Sequence, residues 1–278
     1  MYFYICTNVN NIHSNYNTKI HTKMILKIKQ IVIITTITCF FSCKQEKPVL
    51  TQISGKQIQI SDTIKITDSI EQFVAPYRDR INEVLDSTLA YAPKTIAKND
   101  GALNTTAGNL MADAVLELAG PIFKTRTGST LDFVLLNHGG IRSIISAGNV
   151  SARTAYEIMP FENTIVVVGL KGDAVLEMVN YLINSKKPHP IAGLQIILNK
   201  DDSINVIKIQ GLPFDESKTY YVATSDYLVN GGDRMDFFKK NVTFTETDYR
   251  IRNLMIDYFS KKDTIAPIID DRFIKLDY

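Results

Sequence analysis

"LLNHGGIRSII", residues 135–145, runs buried-looking aliphatic residues directly into Asn137, His138, a glycine pair and a single arginine, Arg142. With "LDFV" (131–134) ahead of it, the stretch reads as a short buried strand that stops at Asn137 and opens a loop. Gly139 and Gly140 let a backbone turn tightly and approach a ligand with no Cβ in the way, and Arg142 presents a fork of donors suited to phosphate or carboxylate. The loop lacks the spacing and lysine of a phosphate-binding P-loop, and no helix-opening dinucleotide fingerprint is present. By residue chemistry alone, Arg142 divides between a ligand contact and a structural salt bridge, and His138 between a ligand contact and a structural role.

Working outward, "SARTAYEIMPFEN" (151–163) contains a short helix capped by Ser151 and ended by Pro160. "TIVVVGL" (164–170) is a short apolar strand, and "GDAVLEMVNYLINS" (172–185) a helix with Val175, Leu176, Val179 and Leu182 facing inward. Residues 194–198 and 204–209 flank "NKDDS" as a hairpin, "YYVATS" (220–225) is another strand, and a last helix is expected over roughly 247–259. Upstream, residues 106–118 carry the helical stripe Ala107, Leu110, Met111, Ala114, Val115 and Leu118. Before it, Asp68 and Glu71 read as a capping box opening a helix with Ile70, Phe73, Val74, Tyr77, Ile81, Val84 and Leu85 on one face. Pro76 requires that helix to kink or to start later. In "KQIQISDTIKIT" (56–67), Ile58, Ile60, Ile64 and Ile66 alternate with polar residues as in edge strands. Helices and strands alternate too irregularly for a doubly wound sheet, so the fold class is α/β, a layered domain on a mixed sheet.

The chain has 278 residues, with 31 Lys plus Arg against 29 Asp plus Glu. Its first 42 residues hold Lys19, Lys23, Lys27 and Lys29, no acid, and the apolar run "IVIITTITCFF" ahead of Ser42 and Cys43. This is the pattern of a lipoprotein leader, with Met24 a plausible start and Cys43 the residue to be lipidated. Without the leader, 27 basic residues face 29 acidic ones, so the basicity belongs to the leader and no nucleic-acid surface is implied. The expected organisation is a leader over 1–42, a tether with short strands over 43–66, and one domain over 67–278. Export and anchoring through Cys43, with "CKQE" compatible with outer-membrane retention, follow from the same pattern.

Two further loops join the first as candidates. In "MPFEN" (159–163), Phe161 is either a plug for the core or a flat platform for another ring. In "SDYLVNGGDRMD" (225–236), Tyr227 enters the loop, Gly231 and Gly232 turn it, and Asp233 follows as either a ligand carboxylate or a cap of the turn. Two aromatics, an arginine, an amide and an acid on separate loops are the parts needed to hold a nucleoside.

"LNTTAGNLMADAV", "LLNHGGIRSII", "YEIMPFENTIVVVGLKGDAVLEMV" and "KTYYVATSDYLVNGGD" follow one another in the order and spacing of the C-terminal domain of the secreted 5'-nucleotidases, a family that includes UDP-sugar hydrolases. The resemblance spans roughly residues 70–259 and implies a domain that binds substrate. It implies that Phe161 and Tyr227 hold the nucleobase between two rings, that Asn163 lies beside the base, and that Gly193 offers backbone there. It implies further that Asn137 and Arg142 contact the nucleoside and its phosphate end, and that Asp233 accepts the ribose hydroxyls. Two departures stand out. Relatives place phosphate-holding arginines before the "GNL" helix, where this chain has Ala97 and Gly101 with Lys98 nearby. The resemblance also stops short of the metallophosphatase domain that carries the family's two metal ions.

A two-metal phosphatase needs Asp, His and Asn ligands clustered around both ions. After the leader the chain has only His138 and His189, with no ligand-like spacing around either, and His189, between Pro188 and Pro190, reads as a solvated loop residue. No Gly-x-Ser-x-Gly turn offers a serine nucleophile. The expectation is a nucleotide-binding specificity part of a split 5'-nucleotidase. It would have no cofactor or catalytic residue of its own and would act with a separate metallophosphatase chain that carries the divalent metal ions. The alternatives are a stand-alone envelope binder of nucleotides or nucleosides, and a structural lipoprotein whose aromatic slot is filled by its own loops.

Overall fold

The computed structural model describes residues 23–37, 50, 52–61 and 67–277. The chain divides into two compact units, Met1–Lys65 and Ile66–Tyr278. In the first, residues 23–37 form an exposed helix, and no helix among the described residues is long and apolar enough to cross a membrane. Residues 52–61 form no strand, contrary to the alternation expected there, and Ile58 and Ile60 are exposed. Alternation alone does not make a strand, because a ladder also needs an edge to pair with. Cys43, Ile64 and Ile66 lie outside the described residues.

The second unit runs α1 (Asp68–Asp86), β1 (Thr88–Ala92), α2 (Thr106–Thr127), β2 (Phe133–Leu135), β3 (Gly148–Ser151), α3 (Ala152–Ile158), β4 (Thr164–Lys171), α4 (Gly172–Ser185), β5 (Ile191–Ala192), β6 (Leu194–Leu198), β7 (Ile204–Ile209), β8 (Leu212–Pro213), β9 (Thr219–Ser225), α5 (Asp226–Val229), β10 (Thr243–Arg250), α6 (Ile251–Lys261) and β11 (Phe273–Lys275). A five-stranded mixed sheet in the order β10-β4-β9-β2-β5 forms the centre. A four-stranded sheet β11-β6-β7-β8 and the β1-β3 ribbon complete the strands among the described residues.

Successive side chains of a strand point to opposite faces, and here both faces are covered. Val134, Ile165, Val167 and Ala223 face a core with Leu110, Met111 and Val115 of α2 and Leu254, Met255 and Phe259 of α6. Phe133, Leu135, Val168 and Val222 face a second core with Val175, Met178, Val179 and Leu182 of α4 and the Phe237 and Phe238 rings. That is why "LDFVLL" and "TIVVVGL" are continuous apolar runs rather than alternating ones.

Four elements depart from the sequence expectation. Helix α2 runs past residue 118 and through Pro121 to a left-handed Gly128, because Phe123 is buried and its ring meets Tyr221 at 5.1 Å. Residues 243–250 form strand β10 on β4, so the last helix begins only at Ile251. The Asp68 and Glu71 capping box does not form: Thr67 is the N-cap without a side-chain bond, and Glu71 pairs with Arg78 instead. Helix α1 buries none of its residues, and Phe73 and Tyr77 stand 70% and 62% exposed, so its apolar stripe faces outward among the described residues.

Candidate functional site

Strand direction gathers the site. β2 and β9 are parallel and β4 is antiparallel to β9. The C-terminal ends of β2 and β9 and the N-terminal end of β4 therefore open at one edge of the sheet. Each end carries one candidate loop: 137–142 after β2, 160–163 before β4 and 226–234 after β9. The register Ile165↔Ser225 sets the last two side by side. Asp226, which the sequence reading passed over, locks them together: its carboxylate accepts the Thr164 amide (3.1 Å) and hydroxyl (2.9 Å).

Asn137, Gly139, Gly140, Arg142, Phe161, Asn163, Tyr227 and Asp233 line one cavity of about 320 Å³. Six of the seven residues singled out in the sequence thus meet in one place. Gly193 does not. At the β5 to β6 junction it lines a separate cleft with Gln210 and Asp270, at a φ of +75° where a Cβ would lie 2.6 Å from the Asp132 carbonyl oxygen. Its glycine is required by a backbone crossing.

Asp233 is the hub. Its Oδ2 accepts from Asn137 Nδ2 (2.8 Å) and its Oδ1 from the Tyr227 hydroxyl (3.1 Å), while the Tyr181 hydroxyl donates to its carbonyl oxygen (2.8 Å). Asp233 and Arg234 both have left-handed backbones, at φ +51° and +59°. Such conformations cost non-glycine residues energy and persist where surrounding contacts enforce them. The glycines of the two loops serve close packing. A Cβ on Gly140 would lie 2.8 Å from Asn137 Oδ1, and one on Gly232 would enter the Tyr227 ring at 2.4 to 2.6 Å.

Phe161 and Tyr227 are 41% and 45% exposed, and neither packs on another aromatic ring among the described residues. That exposure decides against Phe161 as a core plug. The Arg142 guanidinium carbon sits 5.8 Å from the Phe161 ring centre, and its hydrogen bond to the Gly139 carbonyl is a long one (3.4 Å). Among the described residues no carboxylate pairs with Arg142, so it is not tied up in a salt bridge there. The Lys98 ammonium donates to the Ile141 carbonyl (2.8 Å), which brings that cation to the same loop.

The Phe161 loop has its own clamp. Buried Arg252 donates to the Pro160 carbonyl (3.1 Å), pairs with Glu162 and lies 4.2 Å above the Tyr156 ring. The Arg252 hydrogen bond holds the Glu162 carboxyl below the usual carboxylate range. No sequence motif signals this clamp, since Arg252 lies 90 residues from its partner.

His189 is the other correction: it is 3% exposed, not solvated. Its Nδ1 accepts the His138 amide (3.3 Å), its ring lies 5.8 Å from that of Tyr181, and burial pushes its pKa down to about 4. Burial also lowers the pKa of His138, whose Nε2 meets the Lys98 carbonyl at 3.2 Å. Among the described residues no group of three or more His, Cys, Asp or Glu is placed to hold a metal ion.

The family model for the 5'-nucleotidase, C-terminal domain, matches residues 85–240. The chain belongs to this family. Protein UshA of Escherichia coli is 28% identical over 143 residues, covering 50% of this chain and 26% of that protein. A 5'-nucleotidase of Vibrio vulnificus is 24% identical over 226 residues, covering 77% and 38%. A cell wall protein of Listeria monocytogenes, Lmo0130, is 28% identical over 194 residues, covering 62% and 24%. The chain thus spans between about a quarter and two fifths of the length of these relatives. Among solved structures, a 5'-nucleotidase precursor from Thermus thermophilus superposes with a TM-score of 0.62 at 20% identity, over 76% of this chain and 44% of that one. That likeness shows the fold, a mixed α/β domain of the 5'-nucleotidase C-terminal type. Membership of the family supports a nucleotide-binding role.

Proposed function

We propose that this chain is the nucleotide-binding specificity part of a 5'-nucleotidase and acts with a separate metallophosphatase chain on nucleoside 5'-monophosphates. The observation that carries the reading is the convergence of Asn137, Arg142, Phe161, Asn163, Tyr227 and Asp233 on one cavity from three loops. Phe161 and Tyr227 offer two open ring faces to a base, and Asn163 an amide to its polar edge. Stacking of this kind is worth about 1 to 3 kcal/mol per base. Asp233 is already held by Asn137 and Tyr227 but keeps further acceptor lone pairs for ribose hydroxyls. Arg142, with no carboxylate partner among the described residues, faces the negatively charged end with Lys98 near its loop.

Divalent metal ions belong, in this reading, to the partner chain, where they would activate water for attack on phosphorus. The leader exports the chain, and lipidation of Cys43 anchors it to the cell envelope, at the outer membrane; the likeness to a cell wall protein supports an extracytoplasmic place. Calorimetric titration with AMP and adenosine tests the binding claim. The wild type should bind both, AMP more tightly. Phe161→Ala should lose roughly tenfold to a hundredfold for either ligand. A folded wild type that binds neither, with or without a metallophosphatase partner, refutes the reading. With AMP and Mn²⁺ alone the chain should show no turnover.

A further inference from the structure

A second cavity, of about 440 Å³, is lined by His138, Gly139, Tyr181, Lys187, His189, Asp233 and Arg234. It shares Gly139 and Asp233 with the aromatic-lined cavity, so the two adjoin at these residues. Among the described residues neither Lys187 nor Arg234 has a carboxylate partner. Asp233, the acid in the lining, already accepts from two neutral donors, Asn137 and Tyr227.

His189 supplies an independent pointer. Its Nδ1 accepts the His138 amide, which leaves the proton of the neutral ring to Nε2, a buried atom that makes no hydrogen bond of normal length among the described residues. A buried donor left unmatched is costly, and such groups in native proteins ask for a partner. The cavity wall therefore offers two cations without a carboxylate, with the buried His189 ring beside them, against an acid that is already engaged. An anion with several acceptor oxygens fits this set.

We infer that this cavity is a subsite for a second phosphate, carried on the ribose hydroxyl edge of the nucleotide and bound by Lys187 and Arg234, with His189 as a positioning residue behind them. The inference rests on reading Asp233 as the acceptor for the ribose hydroxyls. A ribose that presents its hydroxyls to Asp233 sits where the cavities join. A 3'-phosphate then extends past the carboxylate toward Lys187 and Arg234, while the 2'-hydroxyl stays on Asp233. The class of ligand is a nucleoside bisphosphate with one phosphate at the 5' position and one at 3' or 2'.

The test is calorimetric titration of the full chain with AMP, adenosine 3',5'-bisphosphate, adenosine 2',5'-bisphosphate and inorganic phosphate. It uses the wild type, the double variant Lys187→Ala/Arg234→Gln, and His189→Asn as a separate variant. One of the bisphosphates should bind the wild type roughly tenfold or more tightly than AMP, as charge-assisted bonds would provide. The double variant should lose that preference and keep its AMP affinity, and His189→Asn should lose part of it. If AMP binds but neither bisphosphate binds better, the subsite is refuted and the nucleotide slot stands. A preference that survives in the double variant refutes the assignment to this cavity. Inorganic phosphate bound through Lys187 and Arg234 without any bisphosphate preference refutes the link to the ribose edge. Binding of no nucleotide at all overturns the slot and the subsite together.

Discussion

His189 makes stability depend on pH in a way that one substitution isolates. Its unperturbed pKa of 6.5 falls to about 4 in the folded chain because burial disfavours the imidazolium. Between those values the unfolded chain takes up a proton that the folded chain refuses. The stability from burying neutral His189 is thus fully present above pH 6.5 and is lost as pH falls toward about 4. At about 1.4 kcal/mol per pH unit, this lowering amounts to about 3 kcal/mol. Asn at 189 keeps an oxygen for the His138 amide and does not titrate. Urea unfolding of the wild type and His189→Asn at pH 7.5, 5.5 and 4.0 should show the wild type losing about 3 kcal/mol more than the variant over that range. Groups common to both proteins, such as Asp132 with its carboxyl raised by burial, cancel in the difference. Parallel losses in the two proteins would show that the ring is not held neutral, and the account of its proton on Nε2 would fall with it.

Arg142→Ala should weaken AMP by roughly tenfold to a hundredfold and leave adenosine within about twofold, because the guanidinium matters chiefly when there is phosphate to meet; equal losses in a titration would make Arg142 a structural residue. Gly232→Ala forces a Cβ into the Tyr227 ring at 2.4 to 2.6 Å. It should cost about 1 to 3 kcal/mol in stability by overpacking, and displace the ring so that adenosine binds less tightly, as read by thermal unfolding and titration. For the leader, radiolabelled fatty acid should enter the wild type and not Cys43→Ala; equal labelling would end the lipoprotein reading.

Much of the site was legible because its parts are local. A strand that ends in Asn-His-Gly-Gly, a proline-bounded Phe161 and a glycine turn before Asp233 each announce a loop by composition, and the order of the motifs identified the family. What escaped had partners far away in sequence. Strand β10 was missed because "TFTETDYR" is an edge strand with little apolar alternation, and only pairing with β4 makes it one. Arg252 and Asp226 look like ordinary surface charges until the sheet brings them to Glu162 and Thr164. His189, flanked by prolines, has the composition of a surface loop and is buried because Tyr181 and the His138 turn close over it.

The sequence by itself determined the helices around residues 106–118 and 172–185 and the buried strands β2, β4 and β9, through a periodicity of 3.6 and continuous apolar runs, and it named the chemical types in each loop. It could not determine that β2 and β9 run parallel with β4 opposed. That arrangement alone puts three loop ends on one edge of the sheet and leaves Gly193 in a different cleft. Local propensity acts over a few residues. Strand direction, the burial of His189 and the lack of a carboxylate partner for Arg142 among the described residues depend on contacts between segments tens of residues apart, and only the packed fold supplies those.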